Sequence, residues 1–215
     1  MKKIAVILSG CGVYDGSEIH EATLTLYALS KNQIDYQCFA PDKNQMHVIN
    51  HLTGEEQNEE RNVLVESARI ARGNVKPLSE FNVNDYSAVI LPGGFGAAKN
   101  LSSFAVEGEN FSVDPEIEKL ITDVHAAGKP IGALCIAPVI LGKVLGAKVT
   151  IGKDEGTAQA IINSGGQHIN KEYNEVVVDE DNLVVTTPCY MLAENIYQVG
   201  VGVEAAVQAL IGLCK

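Results

Sequence analysis

The chain of 215 residues lacks any cluster of lysine and arginine, and its formal net charge at pH 7 is −11. Without a basic patch, we do not expect it to bind nucleic acid or an anionic membrane surface. Its five cysteines, at positions 11, 38, 135, 189 and 214, provide neither a disulfide framework nor the paired spacing of a metal site. This pattern is typical of a reducing compartment, so we predict a cytoplasmic protein without a bound metal.

A proline- and serine-rich linker is also missing, and 46% of the residues are hydrophobic. A chain of this length can bury one sizeable core, which predicts one domain over residues 1–215. The apolar run at 4–8 is too short for a secretory signal and is predicted to be a buried strand. The apolar C-terminal stretch at 199–213 is interrupted by Glu204 and Gln208 and is too short for a bilayer, which predicts a packed helix.

Buried strand signals alternate with amphipathic helix signals along the chain. This alternation is typical of a mostly parallel sheet with helices on both faces, so we predict the α/β class. Strands are predicted at 3–8, 34–40, 88–91, 131–134, 176–178 and 183–187. Helices are predicted at 17–32, at 115–127 with Asp114 as the N-cap, and at the C terminus.

The polar, charged stretch at residues 47–74 interrupts this alternation, and we interpret it as a surface insertion. Residues 61–72 within it have helical spacing. Long connections of this kind are often lids or contacts between subunits, but a solvated acidic loop without a function explains the composition equally well.

Cys135 lies between the strand signal at 131–134 and a following helix signal. In a strand-to-helix elbow the nucleophile occupies a sharp turn with small neighbours, and Ala133 and Ala137 meet that requirement. Unpaired N–H groups and the dipole at the start of a helix favour an anion, so a thiolate at Cys135 is predicted to form easily. The alternative is a buried cysteine that only packs against the core.

Ligands of open α/β sheets lie beyond the carboxyl ends of the strands, so other strand ends are candidate partners of Cys135. Two glycines follow the predicted strand at 88–91. The N–H groups of Gly93, Gly94 and Ile136 are predicted to stabilise an oxyanion. The alternative for the glycines is an ordinary tight turn.

Glu18 and Glu21 are three residues apart at the start of the first predicted helix and therefore share one face. A carboxyl group desolvated near a thiolate would have a raised pKa and transfer protons near neutral pH. Glu18 has an alternative role as the carboxylate of a capping box. The sequence leaves open which of the two carboxyl groups faces Cys135. No histidine has the context of a triad member, and Asp15 stands where a dinucleotide-binding loop needs glycine, which argues against a bound dinucleotide.

These motifs together resemble the PfpI-like branch of the class I glutamine amidotransferase-like superfamily. The resemblance spans the chain and rests on the elbow at 132–138, the turn at 91–94 and the acidic helix start. Residues 49–54, 93–101 and 186–188 resemble its ElbB subgroup of isoprenoid-biosynthesis glyoxalases. The resemblance implies a flavodoxin-like three-layer sandwich, a homodimer, no metal or organic cofactor, Cys135 as the nucleophile and Glu18 or Glu21 as its partner.

The resemblance further implies a lyase of the glyoxalase III type that converts glyoxal or methylglyoxal to the 2-hydroxy acid without glutathione. Many relatives carry histidine directly after the nucleophile, whereas this chain has Ile136, which argues against protease or amidase activity. Two alternatives remain open. One is a stress-response protein that senses redox state through an oxidisable cysteine. The other is a regulator of isoprenoid metabolism without chemistry of its own.

Overall fold

A computed structural model describes residues 2–214. The strands are β1 (Lys3–Ile7), β2 (Asp35–Ala40), β3 (Val75–Pro77), β4 (Ala88–Leu91), β5 (Ile131–Leu134), β6 (Lys148–Val149), β7 (Gln167–His168), β8 (Val177–Asp179) and β9 (Val184–Thr187). The α-helices are α1 (Ile19–Lys31), α2 (Val63–Ile70), α3 (Phe95–Lys99), α4 (Phe104–Glu107), α5 (Pro115–Ala126), α6 (Pro138–Leu145), α7 (Glu155–Asn163) and α8 (Ile196–Leu213).

Within the described residues, seven strands form one sheet in the order β3-β2-β1-β4-β5-β9-β8. Neighbouring strands are parallel except for β8, which runs antiparallel to β9. Strands β6 and β7 pair separately. This arrangement confirms the predicted α/β class with a mostly parallel sheet.

The central strands are buried over their whole length because helices cover both faces of the sheet. All four residues of β4, β5 and β9 are buried. Helices α1 and α8 pack against each other in the core on one face, and α5 and α6 pack in the core on the other. The result is the predicted three-layer flavodoxin-like sandwich, in which continuous apolar strands belong in the middle layer.

The predicted bounds are accurate for β4 and β5 and shift by one to three residues elsewhere. Helix α1 begins at Ile19 rather than at residue 17, because Glu18 is its N-cap. Helix α5 has the predicted Asp114 cap and Pro115 at its first position. The sequence analysis missed the short elements β3, β6, β7, α3, α4 and α7.

The C-terminal helix is longer than the sequence analysis predicted. Helix α8 has 18 residues with a mean hydropathy of 1.4, so the expectation that it is too short to cross a membrane was wrong on length. One such helix is also common in soluble cores, and here Val199, Val203 and Leu210 are fully buried. Their burial supports the predicted packed helix.

The stretch at residues 47–74 is ordered rather than a featureless loop. The predicted helix at 61–72 is α2, with the Asn62 side chain accepting a hydrogen bond from the Val65 N–H as its cap. Ile49 and Glu56 form an isolated β-bridge. The Ile49 N–H donates to the Asp15 carboxylate at 2.7 Å, which ties this stretch to the loop after β1.

Candidate active site

Cys135 occupies a sharp turn between the end of β5 and the start of α6. Its φ of 59° lies in the left-handed region, which is strained for a residue with a side chain. Its N–H donates to the Thr187 carbonyl of the neighbouring strand at 3.0 Å, and Ala133 and Ala137 are fully buried on either side. These features confirm the predicted elbow.

Glu21, on α1, lies against Cys135 and is fully buried. Its Oε2 accepts the Gly93 N–H at 3.0 Å, and its Oε1 accepts the Tyr190 N–H at 3.2 Å. The same Oε2 atom and the Cys135 Cβ lie close together on either side of Gly93. The structure therefore places Glu21, rather than Glu18, against the thiol.

Glu18 caps the helix from which Glu21 projects. Its Oε2 accepts the Glu21 N–H at 2.7 Å. The capping role was predicted, but the carboxylate reaches forward into the helix instead of back, because Glu18 is itself the N-cap. Glu18 therefore fixes the start of the helix that carries Glu21.

Burial, and to a smaller extent the negative charge of Glu18, raise the pKa of Glu21 from 4.5 to about 8. The N–H groups of Tyr190 and Gly93 oppose this shift because they bind the charged form. At neutral pH the Glu21 carboxyl is thus mostly protonated. This agrees with the predicted raised pKa of a carboxyl beside the nucleophile.

Burial also raises the pKa of the Cys135 thiol, and a negative charge on Glu21 raises it further. The expectation that the thiolate forms easily was wrong, because burial outweighs the backbone amides that favour the anion. Two adjacent buried anions repel each other strongly. The pair therefore carries at most one negative charge, and its two groups titrate as a unit.

The backbone amides of Gly94 and Ile136 favour the anionic form of Cys135 and oppose the rise in its pKa. Their predicted role as donors to a developing anion stays a prediction. Gly93 was predicted to be a third donor, and this was wrong, because its N–H is bound to Glu21. Gly93 is instead required by close packing.

A side chain at position 93 has no room. A Cβ atom there would lie 2.4 Å from the Cys135 Cβ and 2.6 Å from the Glu21 Oε2. We expect Gly93→Ala to reduce the free energy of unfolding by about 1–3 kcal/mol and to reduce activity, because the elbow and α1 must separate. Denaturant unfolding measures this, and Gly212→Ala, whose Cβ would meet nothing within 4 Å, is the control. Equal stability of the two variants would contradict it.

A cavity of about 420 Å³ opens at Cys135. Its walls come from the loop after β1, from α3, α4 and α7, and from the turn after β9. They comprise Val13, Glu18, Gly94, Phe95, Ala98, Phe104, Ala105, Cys135, Ile136, Asp154, Thr157, Tyr190 and Met191. A small molecule in this cavity can reach the Cys135 sulfur.

The sequence analysis missed Tyr190. Its hydroxyl is 2.7 Å from His20 Nδ1, which in turn lies 3.9 Å from a Glu18 carboxylate oxygen. Tyr190 follows the end of β9, which is the neighbour of β5, so the strand-end rule that identified Gly93 would also have identified it.

Comparison with known proteins identifies the family. The sequence profile of the DJ-1/PfpI family matches residues 2–190. The chain belongs to the DJ-1/PfpI family. This confirms the predicted PfpI-like branch with the class I glutamine amidotransferase-like fold, whereas the ElbB subgroup stays a prediction.

Two curated relatives of this DJ-1/PfpI protein are mammalian. Human glutamine amidotransferase-like class 1 domain-containing protein 3, mitochondrial, is 48% identical, covering 98% of this chain and 83% of the relative. The rat ES1 protein homolog, mitochondrial, is 46% identical, covering 98% and 84%. Both names place the relatives in mitochondria, so this comparison overturns the predicted cytoplasmic location.

Two solved structures share the fold. An isoprenoid biosynthesis protein with an amidotransferase-like domain from Ehrlichia chaffeensis is 36% identical over all of both chains, with a TM-score of 0.94. Glyoxalase III from Candida albicans is 18% identical, covering 100% of this chain and 98% of that chain, with a TM-score of 0.64. At that identity the second likeness concerns the fold alone.

Residues 2–214 contain no group of three or more His, Cys, Asp or Glu side chains arranged to hold a metal ion.

Proposed function

We propose that this DJ-1/PfpI protein is a glutathione-independent glyoxalase that converts a 2-oxoaldehyde to the 2-hydroxy acid. One observation carries the proposal: the Cys135 side chain and the Glu21 carboxyl are neighbours, on either side of Gly93, at an elbow that opens into a cavity. A nucleophile and a proton carrier whose pKa lies near neutrality are the two groups that this reaction requires.

The reactive form of the pair holds one proton, shared between sulfur and carboxyl. Cys135 Sγ bonds to the aldehyde carbon, the carbonyl π bond breaks, and the thiol proton passes through Glu21 to the aldehyde oxygen. The product is a hemithioacetal, and Glu21 is left as a carboxylate. The Gly94 and Ile136 amides, beside the sulfur, stabilise the oxyanion that develops on the adjacent carbon.

Glu21 then moves a proton between the two carbons. Its carboxylate removes the hydrogen from the carbon bound to sulfur, which gives an enediolate. The hydroxyl proton passes from the oxygen on that carbon to the oxygen on the neighbouring carbon, and Glu21 returns its own proton to the neighbouring carbon, which gives a thioester with a 2-hydroxyl group. Water attacks the thioester carbon, the C–S bond breaks, and the sulfur recovers a proton. The balance is one 2-oxoaldehyde plus one water to one 2-hydroxy acid, and no external oxidant or reductant is consumed.

The test is lactate formation from methylglyoxal by the purified protein, without glutathione or added metal, over a range of substrate concentrations. We expect saturable turnover. Because the reactive pair has lost one proton, kcat/KM is expected to rise with pH up to about 8, the pKa of Glu21. No saturable lactate formation at any pH would refute the proposal.

The redox-sensor alternative receives less support from the site. Reaction of cysteine with peroxide follows thiolate content and exposure. Cys135 is only 8% exposed, and burial raises the pKa of its thiol.

A further inference from the structure

The cavity is much larger than methylglyoxal needs. Methylglyoxal has only five non-hydrogen atoms, whereas the cavity encloses about 420 Å³. A water molecule occupies roughly 30 Å³ of liquid, so the cavity has room for a molecule several times larger than methylglyoxal. A small substrate bound to Cys135 would leave most of this volume filled with water.

Most of the wall away from Cys135 is apolar. Val13, Phe95, Phe104, Ile136 and Met191 all line it, and none of them is fully buried. The Phe95 side chain is 47% exposed. Partly exposed aromatic and aliphatic side chains around a concave site are typical of surfaces that bind an apolar ligand group.

The cavity continues outward into a second cleft between α4 and α7. This cleft has a volume of about 510 Å³ and shares Phe104, Ala105, Asp154 and Thr157 with the first. Its other lining residues are small or polar: Gly108, Glu109, Gly156, Gln159 and Ala160. A long substituent therefore has a continuous path from Cys135 towards the protein surface.

The charged groups along this path are acidic. Glu18, Glu109 and Asp154 line the two volumes, and all lining residues belong to the described range and include no lysine or arginine. Lys99 Nζ lies 5.3 Å from the centre of the Phe95 ring but donates to the Tyr14 carbonyl outside the cavity. A phosphorylated or carboxylated substituent would meet repulsion without a compensating cation.

We infer that the preferred substrate is a 2-oxoaldehyde with a large, uncharged, mainly apolar substituent, seated between α3, α4 and the turn after β9. This inference rests on the proposed glyoxalase function and assigns its substrate class. Reaction at the aldehyde by Cys135 and Glu21 is the same for every 2-oxoaldehyde. The substituent therefore adds binding energy without changing the chemical steps.

The test compares phenylglyoxal with methylglyoxal as substrates of the purified protein. Burial of the phenyl ring is expected to raise kcat/KM by about tenfold or more. A phenylglyoxal that carries a para-carboxylate is expected to lose most of this gain. The 2-hydroxy acids formed are quantified by chromatography, so that each substrate is measured by its own product.

A substitution that fills part of the cavity tests the same inference from the side of the protein. Ala105→Phe adds a ring to the cavity wall on α4 without touching Cys135, Glu21 or the two amides. We expect it to reduce kcat/KM for phenylglyoxal by about tenfold more than kcat/KM for methylglyoxal. Ala126→Phe, at the exposed end of α5, is the control and is expected to change neither value.

The outcomes separate the two proposals. Equal or better turnover of methylglyoxal, or equal loss for both substrates in Ala105→Phe, would overturn the substrate class and leave the glyoxalase function standing. Saturable turnover of neither substrate would overturn the glyoxalase function itself. If the wild type prefers phenylglyoxal and the Ala105→Phe variant loses this preference, both the glyoxalase function and the substrate class are supported.

Discussion

Cys135→Ala is expected to abolish 2-hydroxy acid formation while leaving the fold intact. No hemithioacetal can form without the sulfur, and no other thiol lines the cavity in the described part of the chain. Alanine keeps a Cβ at the same strained φ, so the elbow loses one buried sulfur and keeps its backbone hydrogen bond to the Thr187 carbonyl. The rate of product formation should fall to the rate measured in buffer without protein. The thermal unfolding midpoint should stay within a few degrees of that of the wild type.

Cys38→Ala is the matched control. Cys38 is a buried cysteine in β2, it is not among the residues that line the cavity, and burial alone raises the pKa of its thiol to about 12. We expect this variant to retain turnover, which would show that loss of a buried thiol is not by itself harmful. Appreciable turnover by Cys135→Ala would contradict the mechanism, because another nucleophile would then form the intermediate.

The central strands of the sheet could be predicted from the sequence because all of their residues are buried. The strands β4 and β5 are short apolar runs covered on both faces, and hydrophobicity alone identifies them. The helix α5 was predictable from its Asp114-Pro115 start. The strands β6 and β7 have two residues each, so they are set by pairing with each other and leave no periodic signal.

The parts of the site that lie at strand ends could be predicted from the sequence. The parts that are decided by side-chain packing could not. The elbow at Cys135 has a local sequence signal. The choice between Glu18 and Glu21 has none, because both lie on one helix face, and the structure decides it by burying Glu21 under Tyr190 and Gly93. The Gly93 N–H was wrongly predicted to bind the oxyanion, because the sequence does not show that this N–H donates to Glu21.

Glu21→Gln is expected to reduce kcat for either 2-oxoaldehyde by about 100- to 10,000-fold. The amide cannot take the hydrogen from the carbon bound to sulfur, so the reaction stops at the hemithioacetal. Glu18→Gln keeps the helix cap through its side-chain oxygen and is expected to have a much smaller effect, through the pKa of Glu21 only. Steady-state kinetics of the two variants measures this, and a larger loss in Glu18→Gln would assign the proton transfer to Glu18 instead.

The Glu21→Gln variant also tests the protonation of Glu21 independently of activity, through the pH dependence of the free energy of unfolding. The pKa of Glu21 is raised from 4.5 to about 8 in the folded state, so the folded protein holds a proton that the unfolded chain releases. This contribution to stability is complete below about pH 4.5 and is lost as the pH rises towards 8, by up to about 1.4 kcal/mol per pH unit. Glu21→Gln has no proton to hold, so its free energy of unfolding, relative to that of the wild type, should increase over this range. A difference that does not change with pH would mean that Glu21 is already ionised at pH 5, and proton transfer would then need another group.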